Sequence, residues 1–161
     1  MPGPAKNPTT PKQHGAEHGA SGGDKIPNVP VLIAAIETDG GEQVSSVAEN
    51  VLQTLSLPAN SFKRILIEAT VRERYEVDAS NKTNNTWNID VDGSTVKTFT
   101  SRIIALATAS ADSGNRHTFN ISTIVNGGQA AAVDVDITGQ MTINNANCGV
   151  MVYNMRLWGL G

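Results

Sequence analysis

Cysteine is almost missing from this chain. Cys148 stands alone among 161 residues, which excludes an internal disulfide and any cysteine-built metal cluster. Flanked by Asn147, Gly149 and the apolar Val150, and with no base motif beside it, its thiol reads as a buried spectator. Aromatic residues make up only 4% of the sequence. The core must therefore come from Val, Ile, Leu and Ala, and so lean a core in a small domain points to stability gained by assembly with neighbours. Charge is sparse as well, 17% of residues with a net charge of −3, so no strong field recruits nucleic acid or an anionic membrane, and neither is expected as a partner. No apolar run approaches the roughly 18 residues that span a bilayer. No charged-then-apolar leader opens the sequence, which sets the expectation of synthesis in a cytoplasm.

The usual catalytic signatures are missing too. There is no Gly-x-Ser-x-Gly elbow, no Gly-x-x-x-x-Gly-Lys and no Gly-x-Gly-x-x-Gly phosphate loop. His117, beside Arg116 at the start of an alternating segment, reads as a surface or intersubunit hydrogen-bonder. No enzymatic activity and no cofactor are expected.

Proline is present, but unevenly. Six of the seven (Pro2, Pro4, Pro8, Pro11, Pro27 and Pro30) fall in the first 30 residues, which contain no aromatic side chain. Proline lacks a donor for a sheet ladder and glycine resists ordering, so residues 1–30 cannot build a packed core and read as an extended arm. Such an arm reaches about 90 Å when fully extended. From Val31 onward the apolar period is two, with Gly, Asn, Asp and Ser punctuation, which is the signature of an all-β sandwich or barrel. Residues 31–36 form a solid apolar run. Val51, Leu55 and Leu57 share a face in a strand ending at Pro58, with Ala59-Asn60 as the turn. The spacing of Val44, Val47, Val51 and Leu55 also fits a helix, which Ser45-Ser46 and the β-branched residues weaken.

The clearest strand places Ile65, Ile67, Ala69 and Val71 on one face and extends toward Tyr75. After a polar loop, residues 79–85, Trp87, Ile89 and Val91 alternate with Asn88, Asp90 and Asp92, and Asp92-Gly93 signals a tight hairpin. Residues 96–106 form its returning arm, with a short helical turn over 103–107 as an alternative. Phe119 to Val125, Val133 to Ile137 and a last run through Tyr153, Met155 and Leu157 complete about eight strands over residues 31–161. That number in one antiparallel unit suits a jelly-roll-like β-sandwich.

Two groups of residues invite a metal. His14 and His18 have the spacing that lets two imidazoles share one helical face. Gly15, Gly19, Gly22 and Gly23 oppose a helix there, so a spacer whose histidines hydrogen-bond a neighbour is preferred, and no metal is assigned. Asp90 and Asp92, with Asp134 and Asp136, form two Asp-x-Asp pairs of hard oxygen ligands suited to calcium. Their alternation with Val91, Val133 and Val135 reads instead as outward, solvated faces. Arg72, Arg74 and Lys97 with Trp87 or Tyr75 suggest a carbohydrate or nucleic-acid surface, but core packing explains Trp87 better.

The stretch His14-Gly15-Ala16-Glu17-His18-Gly19-Ala20-Ser21-Gly22-Gly23-Asp24, followed by Lys25-Ile26-Pro27, resembles a linker that recurs in structural proteins of tailed bacteriophages, between an anchoring segment and a β-rich head. Residues 42–93 are loosely similar to phage head-fibre and tail-appendage jelly rolls. There the strand running into Leu57-Pro58-Ala59-Asn60 precedes the alternating run that begins at Arg64, and Trp87 to Gly93 match a later strand and turn. Lys25-Ile26 stands where the linker more commonly carries Asp-Pro-hydrophobic, which displaces the stiff exit to Pro27 and Pro30.

The resemblance implies a virion surface protein, a capsid decoration or cement protein that forms a homotrimer and binds the major capsid protein. Pro4, Pro8, Pro11, His14, His18, Asp24 and Ile26 would be the partner-binding arm, and Gly22, Gly23, Pro27 and Pro30 the linker. The alternative is a tail-fibre knob, docked on a tail protein, whose loops 79–85 and 110–115 grip a host-surface glycan.

Overall fold

The computed structural model describes residues 29–37, 46–75, 83–103, 115–142 and 149–161. These form eight strands: β1 (Val31–Glu37), β2 (Asn50–Leu57), β3 (Arg64–Tyr75), β4 (Thr83–Val91), β5 (Ser94–Ile103), β6 (Asn115–Asn126), β7 (Val133–Met141) and β8 (Gly149–Leu160). They build two four-stranded antiparallel sheets. The first has the order β1-β8-β3-β6 and the second β2-β7-β4-β5. Strand pairs whose numbers sum to nine lie side by side, as if one long hairpin bent at β4–β5 had been folded over into two layers. That order is a jelly roll, and the expected all-β sandwich is what the chain forms. No helix among the described residues is long and apolar enough to cross a membrane.

The bend of this hairpin is local chemistry. Asp92 and Gly93 connect β4 to β5 with φ of 51° and 70°, the left-handed pair that matches strand twist in a two-residue turn and that Asp-Gly tolerates best. At the same end of the sandwich Asn60 also sits at φ 51°, and its N–H donates to the Gln129 carbonyl at 2.9 Å. Gly159 has a packing reason instead, since a Cβ there would lie 2.3 Å from the Phe62 ring.

Period-two alternation places Ile65, Ile67, Ala69 and Val71 of β3, Trp87 and Ile89 of β4, Val135 and Ile137 of β7, and Met155 and Leu157 of β8 in the buried layer between the sheets. Trp87 lies at its centre, fully buried, edge-on to Phe119 with ring centroids 5.1 Å apart. An aromatic surface that used Trp87 is therefore excluded.

Three departures from the sequence reading have physical causes. A bulge between Val51 and Gln53 in the β2–β7 ladder turns Val51 outward while Leu57 stays buried, so they do not share a face. A second bulge, between Thr70 and Val71 against Asn154 and Val152, sets Tyr153 apart from the buried Met155 and Leu157 and brings it under Arg72, whose guanidinium carbon lies 4.0 Å from the ring centroid. β4 begins at Thr83, inside the expected polar loop, because Asn84 and Asn85 continue the ladders to β5 and β7. The segment read alternatively as a helix forms β2 from Asn50 onward.

Candidate functional site

Pro4, Pro8, Pro11, His14, His18, Gly22, Gly23, Asp24, Ile26 and Pro27 lie outside the described residues, as do Cys148 and most of the loops 79–85 and 110–115. Pro30 is described. It is exposed and directly precedes β1, which is the edge strand of the first sheet. The chain thus enters the sandwich at its flank.

The most organised polar group is a clasp between the sheets. Glu73 of β3 stands directly across the ladder from His117 of β6, and Asn85 of β4 stands directly across from Ser101 of β5. The parity that buries Ile65 to Val71 carries Glu73 inward as well, where it is only 1% exposed. Its Oε2 accepts hydrogen bonds from Asn85 Nδ2 at 2.9 Å and from the Ser101 hydroxyl, and its Oε1 accepts from His117 Nδ1 at 3.0 Å. Of the two readings of His117, surface or intersubunit hydrogen-bonder, the first is met: it bonds within its own chain, and 63% of its side chain remains exposed. A histidine paired to a carboxyl has the form of a general-base dyad. Here, however, the Ser101 hydroxyl is bonded to the carboxyl and not to the imidazole, so the arrangement ties the sheets together and presents no activated nucleophile.

The two Asp-x-Asp pairs do meet at one end of the second sheet. Asp90 is directly opposite Asp136, and the Asp92 N–H donates to the Asp134 carbonyl at 2.9 Å. Asp136 accepts from the Thr54 hydroxyl at 2.5 Å. Asp90 is not the solvated side chain expected. It is 9% exposed, and its Oδ1 has no hydrogen-bond partner among the described residues. Beside it the ladder to β5 shifts register, with Val96 of β5 as the extra residue opposite Ile89 and Asp90. Among the described residues no three His, Cys, Asp or Glu side chains gather as a metal would need.

On the same sheet Glu49 caps a polar row, accepting from Asn88 Nδ2 at 2.5 Å and from the Thr138 hydroxyl, and Thr138 is buried beneath it. These bonds, Thr138 first and Asn88 second, hold the Glu49 carboxyl below its ordinary value of 4.5. A carboxyl lowered on folding stabilises the protein above its unfolded pKa, and that contribution is lost as pH falls through the folded one. Glu49→Gln is therefore expected to lower the melting temperature at neutral pH and to flatten the profile below about pH 4.5, where the wild type loses the same contribution; thermal unfolding from pH 7 to 3 measures it.

The outer face of the first sheet holds a shallow depression of about 210 Å³ lined by Glu68, Thr70, Asn120, Ser122, Asn154 and Arg156, with parts of Ala69 and Ile121 at its floor. Trp158 Nε1 donates to Glu68 at 2.8 Å, Arg156 to Glu37 at 2.6 Å, and the Thr70 hydroxyl to Asn120 at 2.8 Å. Carboxyl, amide, hydroxyl and guanidinium groups thus converge on one exposed patch, fixed by cross-strand bonds. Sequence reasoning missed it, since it arises only when β8 inserts between β1 and β3.

No family model matches the sequence, and no curated protein matches it. Among solved structures, the chain is similar to dimeric latent PorU from Porphyromonas gingivalis, with a TM-score of 0.53 and 14% sequence identity over 87% of this chain. The chain spans only 13% of that protein's length, and the likeness is one of fold alone.

Proposed function

We propose that the chain is a non-enzymatic structural protein of a phage virion, a capsid decoration or cement protein that sits on the virion surface and stabilises the major capsid lattice. The observation that carries this reading is the flank entry of the chain. Val29 and Pro30 are exposed ahead of an edge strand, so the head is joined to its leading segment at a flank, where a neighbouring protein has access. The linker resemblance of residues 14–24 supports the same division into arm and head. An arm of many weak contacts adds to the head's own footprint, and a homotrimer multiplies both through effective concentration. Deleting residues 1–30 is expected to leave a folded head, with its melting transition intact, that no longer remains on purified shells. Undiminished occupancy would remove the arm from the account.

The second reading, a tail-fibre knob that recognises a host-surface glycan, has one observation in its favour: the polar depression from Glu68 to Arg156, with Trp158 bonded beside it. Polyhydroxylated ligands are held by such convergent carboxyl, amide and guanidinium groups. Binding of host-surface glycans by the purified head, lost in Asn120→Ala with Asn154→Ala, would favour this reading over decoration.

A further inference from the structure

All six large apolar side chains that stand exposed among the described residues belong to edge strands or to the residues leading into them. Val29 and Leu32 lie at β1, Val47 and Val51 at β2, Val96 on β5 and Ile124 on β6, each between 41% and 58% exposed. None lies on β3, β4, β7 or β8, which are the interior strands of the two sheets. Since β1 packs opposite β2 and β5 opposite β6, the sandwich has two flanks. Each combines exposed apolar groups with a row of backbone donors and acceptors that, among the described residues, have no ladder partner on their outer side. Proteins normally blunt such edges, because they template pairing with another chain.

The strand sequences of the two flanks differ in the sign of their charge. The sequences of β1 and β2 contain Glu37 and no Lys or Arg, and Glu49 immediately precedes β2. Glu37 shares its charge with Arg156 of β8, yet its side chain stays 71% exposed. The sequences of β5 and β6 contain Lys97, Arg102, Arg116 and His117 and no Asp or Glu. Like flanks brought together would oppose acid to acid or base to base. Unlike flanks oppose acid to base, with apolar side chains on both sides to exclude water.

From this we infer that the β1–β2 flank of one copy docks on the β5–β6 flank of another, a head-to-tail contact. The occupant of each flank is a second copy of this chain. A heterologous contact of this kind closes into a ring when the rotation permits. The proposal rests on the trimer of the preceding reading only for the number three.

The test compares the full chain with two double variants, Leu32→Asp with Val51→Asp on one flank and Val96→Asp with Ile124→Asp on the other. All four sites are exposed, so each variant keeps its strand circular dichroism, and Leu32→Ser with Val51→Ser serves as a milder pair should the aspartates impair folding. Light scattering coupled to gel filtration is expected to show a closed oligomer for the wild type and a monomer for either variant. The dissociation constant should rise tenfold or more in each. An equimolar mixture of the two variants should form a one-to-one dimer, because one intact flank of each kind remains. A wild type that is monomeric, a variant that retains wild-type mass, or a mixture that stays monomeric would each overturn the contact. A closed ring of a number other than three would support the contact and overturn the trimer, whereas a monomeric wild type would leave arm-mediated attachment to its own deletion test.

Discussion

Replacing Trp87 with alanine is expected to cost about 3–5 kcal/mol of unfolding free energy, the range for truncating a large aromatic in a core. Against the roughly 5–15 kcal/mol that holds a typical domain folded, this removes a fifth or more of the stability. At about 2–4 °C per kcal/mol for a chain of this size, the melting temperature falls by roughly 6–20 °C. The core around Trp87 is otherwise built mostly from aliphatic side chains, which are too short to fill the space an indole leaves. Phe119, edge-on to Trp87 at 5.1 Å, would also lose an aromatic contact worth roughly 0.5–1.5 kcal/mol beyond its area. Trp87→Phe should cost far less. The indole N–H is buried with no hydrogen-bond partner among the described residues, so its removal offsets part of the lost volume. Denaturant titration of both variants measures the difference, and equal losses would contradict the placement of Trp87.

Glu73→Ala is expected to destabilise the protein by about 2–4 kcal/mol, because it leaves the buried amide of Asn85 and the Ser101 hydroxyl without the acceptor they share. His117→Ala should cost well under half as much, since its ring is largely exposed and solvent replaces its bond. Glu73→Gln keeps the volume and one acceptor oxygen and should fall between them. A double-mutant cycle of Glu73→Ala with Ser101→Ala should show a coupling of about 1 kcal/mol or more, as expected for groups in direct contact. Additive losses would show that the clasp does not join the sheets.

The fold was largely legible because a two-sheet sandwich writes its period directly into the chain. Ile65 to Val71, Trp87 to Val91 and Val133 to Ile137 alternate without interruption, and Asp92-Gly93 names its own turn. Legibility failed at bulges, where one extra residue reverses every side chain beyond it. Val51 and Tyr153 changed environment for that reason. Glu73 was readable in principle, since it continues the inward parity of Val71, but a charged residue invites an outward assignment unless its partners are known. Those partners, Asn85, Ser101 and His117, come from three other strands, and no local spacing announces them. The depression on the first sheet was hidden for the same reason, as it depends on strand order. The charge difference between the flanks is visible in the strand sequences, but it acquires meaning only once β1 and β2 fall at one edge and β5 and β6 at the other.

The proposed attachment of a jelly-roll head to a shell through its leading segment makes a quantitative demand on the particle itself. Counting this chain against the shell subunits in purified virions, by mass spectrometry with labelled standard peptides, tests it most directly. A copy number in fixed proportion to the shell subunits is the predicted result. Absence of the chain from the particle, or presence only in the small number set by tail symmetry, would contradict it.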